Sequence, residues 1–227
     1  MGWRIMTTAH HRKMSAHDLL LGPPPPRKGD ILFRTDPSDV RTNASLHSPG
    51  SEFFYAEGYR TAARLLTEQV IETGTDKNVL VFPILYLYRH HIELVLKHLT
   101  AVGAYLLDKE LSKDETDKLS KHRLDWLWNN FRPILEKVCK EVGWKPPTKE
   151  DIEGIHSYIR QMTDADPEGQ GSRYAASKKG EPSMPHLTNF NIRVFADGME
   201  RLGNFLEGLD AGFAAMEGIK NDMQAEH

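Results

Sequence analysis

Apolar residues recur at three- and four-residue intervals along one long stretch of the chain, from about Lys77 to about Leu107. That spacing places them on one side of an α-helix, and Pro83 is tolerated because it falls in the early turns. The stretch contains the most apolar run of the chain, Val79 to Tyr88. A helix of this kind needs other helices to cover it, so the sequence predicts a helical bundle with this helix at its centre.

The same spacing marks four further helices. They are expected over residues 52–74, 124–143, 148–162 and 187–216. The second of these is predicted to kink or split at Pro133, since proline removes a backbone hydrogen bond and clashes with the preceding turn. The third is expected to open with Thr148 as its cap, three residues before Asp151. The predicted fold is all-α, an antiparallel four- to five-helix bundle with an irregular N-terminal arm.

Several segments lack this periodicity. Residues 1–50 hold a polyproline run and further Pro and Gly, which predicts an irregular Pro-rich arm. The bundle is assigned to residues 51–220, and a short tail to residues 221–227. Within the bundle, residues 108–121 are expected to form a charged connection and residues 164–185 a long loop between helices.

Charge and composition narrow the class of protein. The net charge of −3 argues against non-specific coating of nucleic acid, which needs many phosphate contacts from Lys and Arg, but it leaves room for a local basic cleft. Cys139 is the only cysteine, which excludes an internal disulfide and a cysteine-built zinc site and favours a reducing cytoplasm. No uninterrupted run of about 18 apolar residues exists, so no membrane segment is expected. No cofactor is implied.

The densest polar cluster of the sequence lies on the central helix. Arg89, Glu93 and Lys97 are spaced four apart and share one face, with His90 beside them. They could form a solvated ladder of ion pairs, each worth only about 0.2–0.5 kcal/mol. They could instead line a functional cleft, because charges on the most apolar helix must face a partner, a cleft or water. The sequence leaves both interpretations open.

Two further groups of residues could join this cluster. His122 stands at the start of the helix over residues 124–143, where capping or packing is the first interpretation. If it faces the central helix instead, its imidazole can move protons near neutral pH. Four polar residues of the long loop could bind phosphate, namely Arg173, Tyr174, Lys178 and Lys179. A solvated loop is an equally good interpretation of that segment.

Three groups of residues carry a family resemblance. They are Tyr88 to Lys97, then His122-Arg123-Leu124 with Leu127-Trp128, then Arg173-Tyr174 with Lys179-Gly180. This pattern, over about residues 52–217, resembles helical bundles of the HEPN superfamily of microbial genomes. The resemblance implies a bundle that commonly dimerises and, in many members, metal-independent RNA cleavage in toxin or anti-phage systems. Catalytic members carry an Arg and, four to six residues later, a His near the last helix. This chain lacks them there, so its site would have to be formed by other groups.

The leading hypothesis from the sequence is therefore a HEPN-like protein that acts on RNA without metal, in a defence or toxin setting. In this hypothesis Arg89 and Arg173 hold phosphate and a histidine moves protons. Its catalytic candidates are Arg89, His90, Glu93 and His122, and its substrate-binding candidates are Lys97, Arg173, Tyr174, Lys178 and Lys179. The second hypothesis is a non-catalytic interaction or nucleic-acid-binding module that recruits a partner through its arm and dimer face. In the arm, Ile31, Leu32 and Phe33 could dock on the bundle or on a partner. A metal enzyme with ligands His90, Glu93 and His122 comes third, because neighbouring Arg and Lys would repel a cation.

Overall fold

The computed structural model describes residues 26–33, 35–46, 51–176 and 179–226, with the backbone alone at 51–53. This part of the chain contains six α-helices and no β-strand. The helices are α1 (Ser51–Thr73), α2 (Lys77–Leu106), α3 (Lys113–Leu119), α4 (Leu124–Glu141), α5 (Lys149–Ala165) and α6 (Ile192–Ala225). The predicted all-α bundle is confirmed, with five main helices and the short α3.

α2 is the central helix of the bundle. It packs against α1, α4 and α6, and Ile84, Ile92 and Leu96 on it are fully buried. Its most apolar 18-residue window has a mean hydropathy of 1.4, so α2 is long and apolar enough to cross a membrane by length and composition. Half of that window is buried inside the bundle. A buried core helix passes the same test, so its composition alone does not mark α2 as a membrane span.

α4 runs unbroken through Pro133, so the predicted split into two helices is wrong. Its buried side holds Trp128, Phe131 and Leu135. Phe131 packs edge-on against Phe213 of α6, with ring centres 6.2 Å apart. This packing stabilises the helix around the proline, which offsets the backbone hydrogen bond that proline removes.

Capping residues explain one missed helix and one correct helix start. Residues 108–121, predicted to be a charged connection, contain the helix α3. At its start the N–H of Glu115 donates to the Ser112 hydroxyl, and the N–H of Ser112 donates to the Glu115 carboxylate at 2.9 Å. This reciprocal pair is a capping box, which stabilises a helix start. Thr148 and Asp151 form the same box at α5, which confirms the predicted cap.

α6 begins and ends later than the sequence analysis predicts. It begins at Ile192 because the side chain of Asn191 accepts a hydrogen bond at 3.1 Å from a backbone N–H of the first turn. Its other end continues to Ala225, into the predicted tail. There Lys220 Nζ donates to the carbonyl oxygen of Tyr105 at 2.7 Å. This contact with the end of α2 holds the last turns of α6 in place.

The described residues of the arm, 26–33 and 35–46, belong to a unit separate from the helical bundle. They are irregular apart from a 3₁₀ turn at Val40–Thr42, which agrees with the predicted irregular arm. The three adjacent apolar residues Ile31, Leu32 and Phe33 are exposed.

His91 on α2 is a buried histidine that predicts sensitivity to acid. Its Nδ1 lies 2.9 Å from the carbonyl oxygen of Ala56, and its buried Nε2 has no hydrogen-bond partner among the described residues. Burial lowers the pKa of His91 below its ordinary 6.5, although the bond to Ala56 opposes this. As pH falls below 6.5, the unfolded chain therefore binds a proton that the folded chain does not, and the free energy of unfolding decreases.

Urea unfolding at pH 7.5 and pH 5.5 measures this effect. We expect a lower free energy of unfolding at pH 5.5, and a smaller difference between the two pH values in a His91→Gln variant. His156→Gln, which changes an exposed histidine of α5, is the control and should keep the full difference. An unchanged difference in His91→Gln would contradict the assignment of the acid sensitivity to His91.

Candidate functional site

A buried carboxylate lies at the centre of a cluster formed by Arg89, Glu93, Lys97 and His122, called here the Glu93 cluster. Glu93 is 2% exposed, and the other three side chains donate to it. Arg89 Nη1 lies 3.2 Å from Oε2 of Glu93. Lys97 Nζ and His122 Nδ1 lie 2.9 Å and 2.7 Å from Oε1. These three donors, of which Arg89 and Lys97 are cations, compensate for the cost of burying the carboxylate.

The ion pair between Arg89 and Glu93 is not a solvated ladder. Arg89 is 3% exposed, so that interpretation is wrong for this pair. Burial raises the pKa of Glu93, but the hydrogen bonds from Lys97 and His122 outweigh it and lower the pKa below its ordinary 4.5. Glu93 is therefore ionised at neutral pH.

His122 lies against this carboxylate instead of capping α4. Arg123 is the N-cap of α4 and the side chain of His122 is 53% exposed, so the capping and packing interpretations are wrong. An ionised carboxylate only accepts hydrogen bonds, so Nδ1 of His122 carries the proton directed at Glu93. In the neutral ring, Nε2 is then a base, and it has no hydrogen-bond partner among the described residues.

Arg89 joins α2 to two loops. Its guanidinium donates to the backbone carbonyl oxygens of His122, Asp166 and Pro167 in addition to Glu93. Four of its five N–H groups are thereby engaged inside the protein. The predicted role of Arg89 in holding phosphate does not fit this geometry, because the side chain offers no open face to a ligand. Arg89 instead positions the backbone of His122 and of the loop after α5.

That loop folds back on itself around Asp166. The buried carboxylate of Asp166 accepts from the N–H of Gly171 at 2.9 Å and from the N–H and hydroxyl of Ser172, both at 3.1 Å. Gly169 has a φ of +67°, and a Cβ there would lie 2.5 Å from Nη1 of Arg89. Both the left-handed backbone and the close approach require glycine.

The same loop presents Arg173 beside aromatic rings. Arg173 Nε donates to the carbonyl oxygen of Gly169 at 2.9 Å. Its guanidinium carbon lies 5.5 Å from the ring centre of Tyr86 and 5.7 Å from that of Tyr174, which is within cation–π range. Tyr86 in turn stacks on His90, with ring centres 5.4 Å apart and planes 10° apart. No carboxylate in the described chain pairs with the exposed Arg173, so its charge can meet a ligand.

His90 is a second imidazole near the Glu93 cluster. Burial lowers the pKa of His90, and the positive charges of Lys97 and Arg89 lower it further, while Glu93 opposes the change. His90 is therefore neutral at pH 7. Tyr59 of α1 packs edge-on against it, with ring centres 4.5 Å apart.

Of the two lysines proposed to bind substrate from the long loop, the structure describes only one. Lys179 is exposed in the turn closed by a bridge between Ala176 and Pro182, and Lys178 lies outside the described residues. Within the described ranges, no group of three or more His, Cys, Asp and Glu side chains is arranged to hold a metal ion. The third hypothesis, a metal enzyme with ligands His90, Glu93 and His122, therefore has no matching donor geometry.

No family model, curated protein or solved structure significantly matches this chain. The likeness to HEPN bundles accordingly rests on the quoted residues of the sequence. What the Glu93 cluster does has to be inferred from its contacts.

Three residues that shape the site were missed in the sequence. Asp166 and Gly169 hold the loop, and Tyr86 connects Arg173 to His90. An Asp followed by Pro and Gly residues is typical of a turn in which the carboxylate accepts backbone N–H groups, so Asp166 carried a readable signal. No feature of the sequence indicates a site role for Tyr86, because it lies within the most apolar run of the chain and fits the pattern of a core residue.

Proposed function

We propose that this chain is a HEPN-like protein that binds RNA and cleaves it without a metal ion. The observation that supports this most is the pair of Glu93 and His122. A buried, ionised carboxylate lies 2.7 Å from Nδ1 of a half-exposed imidazole. Enzymes use such a contact to fix the tautomer and the orientation of a histidine that moves protons.

The 2′-hydroxyl of RNA is the nucleophile that such a histidine can activate. Nε2 of His122 accepts the 2′-hydroxyl proton while the 2′-oxygen forms a bond to the adjacent phosphorus. The bond from phosphorus to the 5′-oxygen breaks, and the leaving oxygen takes a proton from water. The products are a 2′,3′-cyclic phosphate and a 5′-hydroxyl. His122 then returns its proton to solvent.

Cations that are not fully engaged inside the protein supply the phosphate contacts. No carboxylate of the described residues pairs with the terminal nitrogens of Arg173, so they can donate to two phosphate oxygens in a fork. Lys97 is partly exposed and keeps further N–H donors after its bond to Glu93. The exposed ring of Tyr174 beside Arg173 can stack on an unpaired base.

A non-catalytic RNA-binding module is the second candidate. The contacts that favour it run from Tyr59 through His90 and Tyr86 to Arg173. Aromatic rings interleaved with a cation bind single-stranded nucleic acid by stacking and charge, without any reaction at His122.

Arg173→Ala is expected to weaken RNA binding by about tenfold or more, because a charge-assisted hydrogen bond contributes roughly 1.5–3 kcal/mol. The assay incubates purified full chain with mixed RNAs, including tRNA, in the presence of a chelator, and measures both binding and cleavage. Arg132→Ala is the matched control, since it removes the same charge from an exposed pair with Glu136 on α4.

Equal losses in Arg173→Ala and Arg132→Ala would contradict a phosphate contact at Arg173. Binding without cleavage by the wild type would favour the second candidate. A wild-type protein that neither binds nor cleaves any RNA would contradict both.

A further inference from the structure

A cavity lies between α5 and α6, beside the segment that leads into α6. It has a volume of about 370 Å³, within the range of small-molecule pockets, roughly 300–1,000 Å³. Leu85, Met162 and Met199 line it from three different helices, and all three residues are buried. No residue of the Glu93 cluster is among its lining residues. A ligand in this cavity would therefore make none of the contacts that the RNA chemistry uses.

The wall of the cavity is mostly apolar, and aromatic contacts hold part of it in place. Phe195 packs edge-on against Tyr88 and Phe190, with ring centres 5.8 Å and 5.4 Å apart. Leu187 and Val194 add aliphatic surface. Each methylene group that such a wall removes from water strengthens binding by about fourfold. The wall therefore suits an alkyl chain.

Arg201 is the one charged residue among the described residues that line the cavity. Its Nη2 donates to the hydroxyl oxygen of Tyr158 at 2.8 Å, and no carboxylate of the described residues pairs with it. Because the Tyr158 oxygen accepts this bond, its own hydrogen is available to a ligand. The guanidinium keeps further N–H groups as well. Two neighbouring side chains, one of them a cation, thus offer donors beside an apolar wall.

A carboxylate with an unbranched chain fits both parts of this cavity. The planar guanidinium of Arg201 matches the two oxygens of a carboxylate, and the Tyr158 hydroxyl can donate to one of them. A phosphate dianion would meet a single cation here, and Arg201 would repel a cationic head group. The flexible side chains of Met162 and Met199 adapt to the shape of a flexible chain.

We propose that this cavity binds a medium-chain fatty acid, with the carboxylate on Arg201 and Tyr158 and the alkyl chain against the apolar wall. The inference goes beyond the proposed action on RNA and does not depend on it. It assigns the chain a separate small-molecule site between α5 and α6.

Isothermal titration calorimetry on the full chain tests this assignment. The probes are decanoate, octanoate, 1-decanol and acetate. Decanoate is expected to bind at one site per chain. Octanoate should bind about tenfold or more weakly, because it buries two methylene groups fewer. A similar loss is expected for 1-decanol, which has the chain but lacks the charge that Arg201 binds.

Arg201→Ala is expected to weaken decanoate binding by about tenfold or more, since the charge-assisted contact is lost. Tyr158→Phe removes one neutral donor and should weaken it by about two- to tenfold. Arg201→Lys keeps the charge and should retain part of the affinity. Arg160→Ala is the matched control, because Arg160 is an exposed arginine of α5 that does not line the cavity. Far-UV circular dichroism confirms that each variant keeps its helices.

Four results would overturn the proposal. The first is that decanoate does not bind, and the second is that Arg201→Ala binds it as tightly as Arg160→Ala. The third is that 1-decanol binds as tightly as decanoate, because the site would then recognise an alkyl chain alone, such as the acyl chain of a lipid. The fourth is that acetate binds as tightly as decanoate, because the site would then recognise a small anion.

Discussion

Replacing His122 by alanine is expected to lower the rate of RNA cleavage by about 10²–10⁴-fold, the usual contribution of a positioned general base. The substitution removes the group that takes the 2′-hydroxyl proton. It also leaves the buried Glu93 with one donor fewer, so some loss of stability is expected, and urea unfolding confirms that the variant is folded under the assay conditions. The measurement is the single-turnover cleavage rate of one defined RNA in the presence of a chelator.

His156→Ala is the matched control for that experiment, because it removes an exposed histidine of α5 that has no part in the Glu93 cluster. It should cleave at the wild-type rate. A His122→Ala protein that also cleaves at the wild-type rate would contradict the proposed role of His122.

Replacing Arg89 by alanine is expected to reduce the free energy of unfolding by about 3–5 kcal/mol, the usual cost of removing one partner from a buried ion pair. The variant leaves the buried Glu93 with one donor fewer. It also leaves the backbone carbonyl oxygens of His122, Asp166 and Pro167 without their donor. Urea unfolding at pH 7.5 measures the loss.

Arg132→Ala is again the control. The exposed ion pair of Arg132 with Glu136 is expected to contribute less than about 1 kcal/mol to the free energy of unfolding. If Arg89→Ala lowers the free energy of unfolding no more than Arg132→Ala does, that result contradicts a stabilising role for the buried contacts of Arg89.

The central helix could be predicted from sequence because its evidence is local. Apolar spacing over the stretch of α2 fixes a helix, and a spacing of four puts Arg89, Glu93 and Lys97 on one face. The burial of Arg89 and Glu93 could not be predicted in the same way. It depends on the backbone of His122 and of the loop after α5, which are remote in the sequence and meet α2 only in the folded chain.

Differences at helix ends have similarly specific causes. α3 was missed because its segment is charged throughout, although Ser112 and Glu115 form a readable capping box. The late start of α6 depends on the side chain of Asn191, and its late end on the contact of Lys220 with Tyr105. The capping residue Asn191 can be recognised in the sequence. The contact of Lys220 with Tyr105 cannot, because it depends on how α6 packs against α2.

The central claim, that His122 takes the proton of an RNA 2′-hydroxyl without a metal ion, is tested most directly by the chemistry of the cleaved ends. The experiment uses a defined RNA and the same RNA with a single 2′-deoxy nucleotide at the cleaved position, both in chelator. We expect a 2′,3′-cyclic phosphate and a 5′-hydroxyl from the first RNA, and no cleavage at that position of the second. Ends that carry a 5′-phosphate, or cleavage that survives the 2′-deoxy substitution, would contradict it.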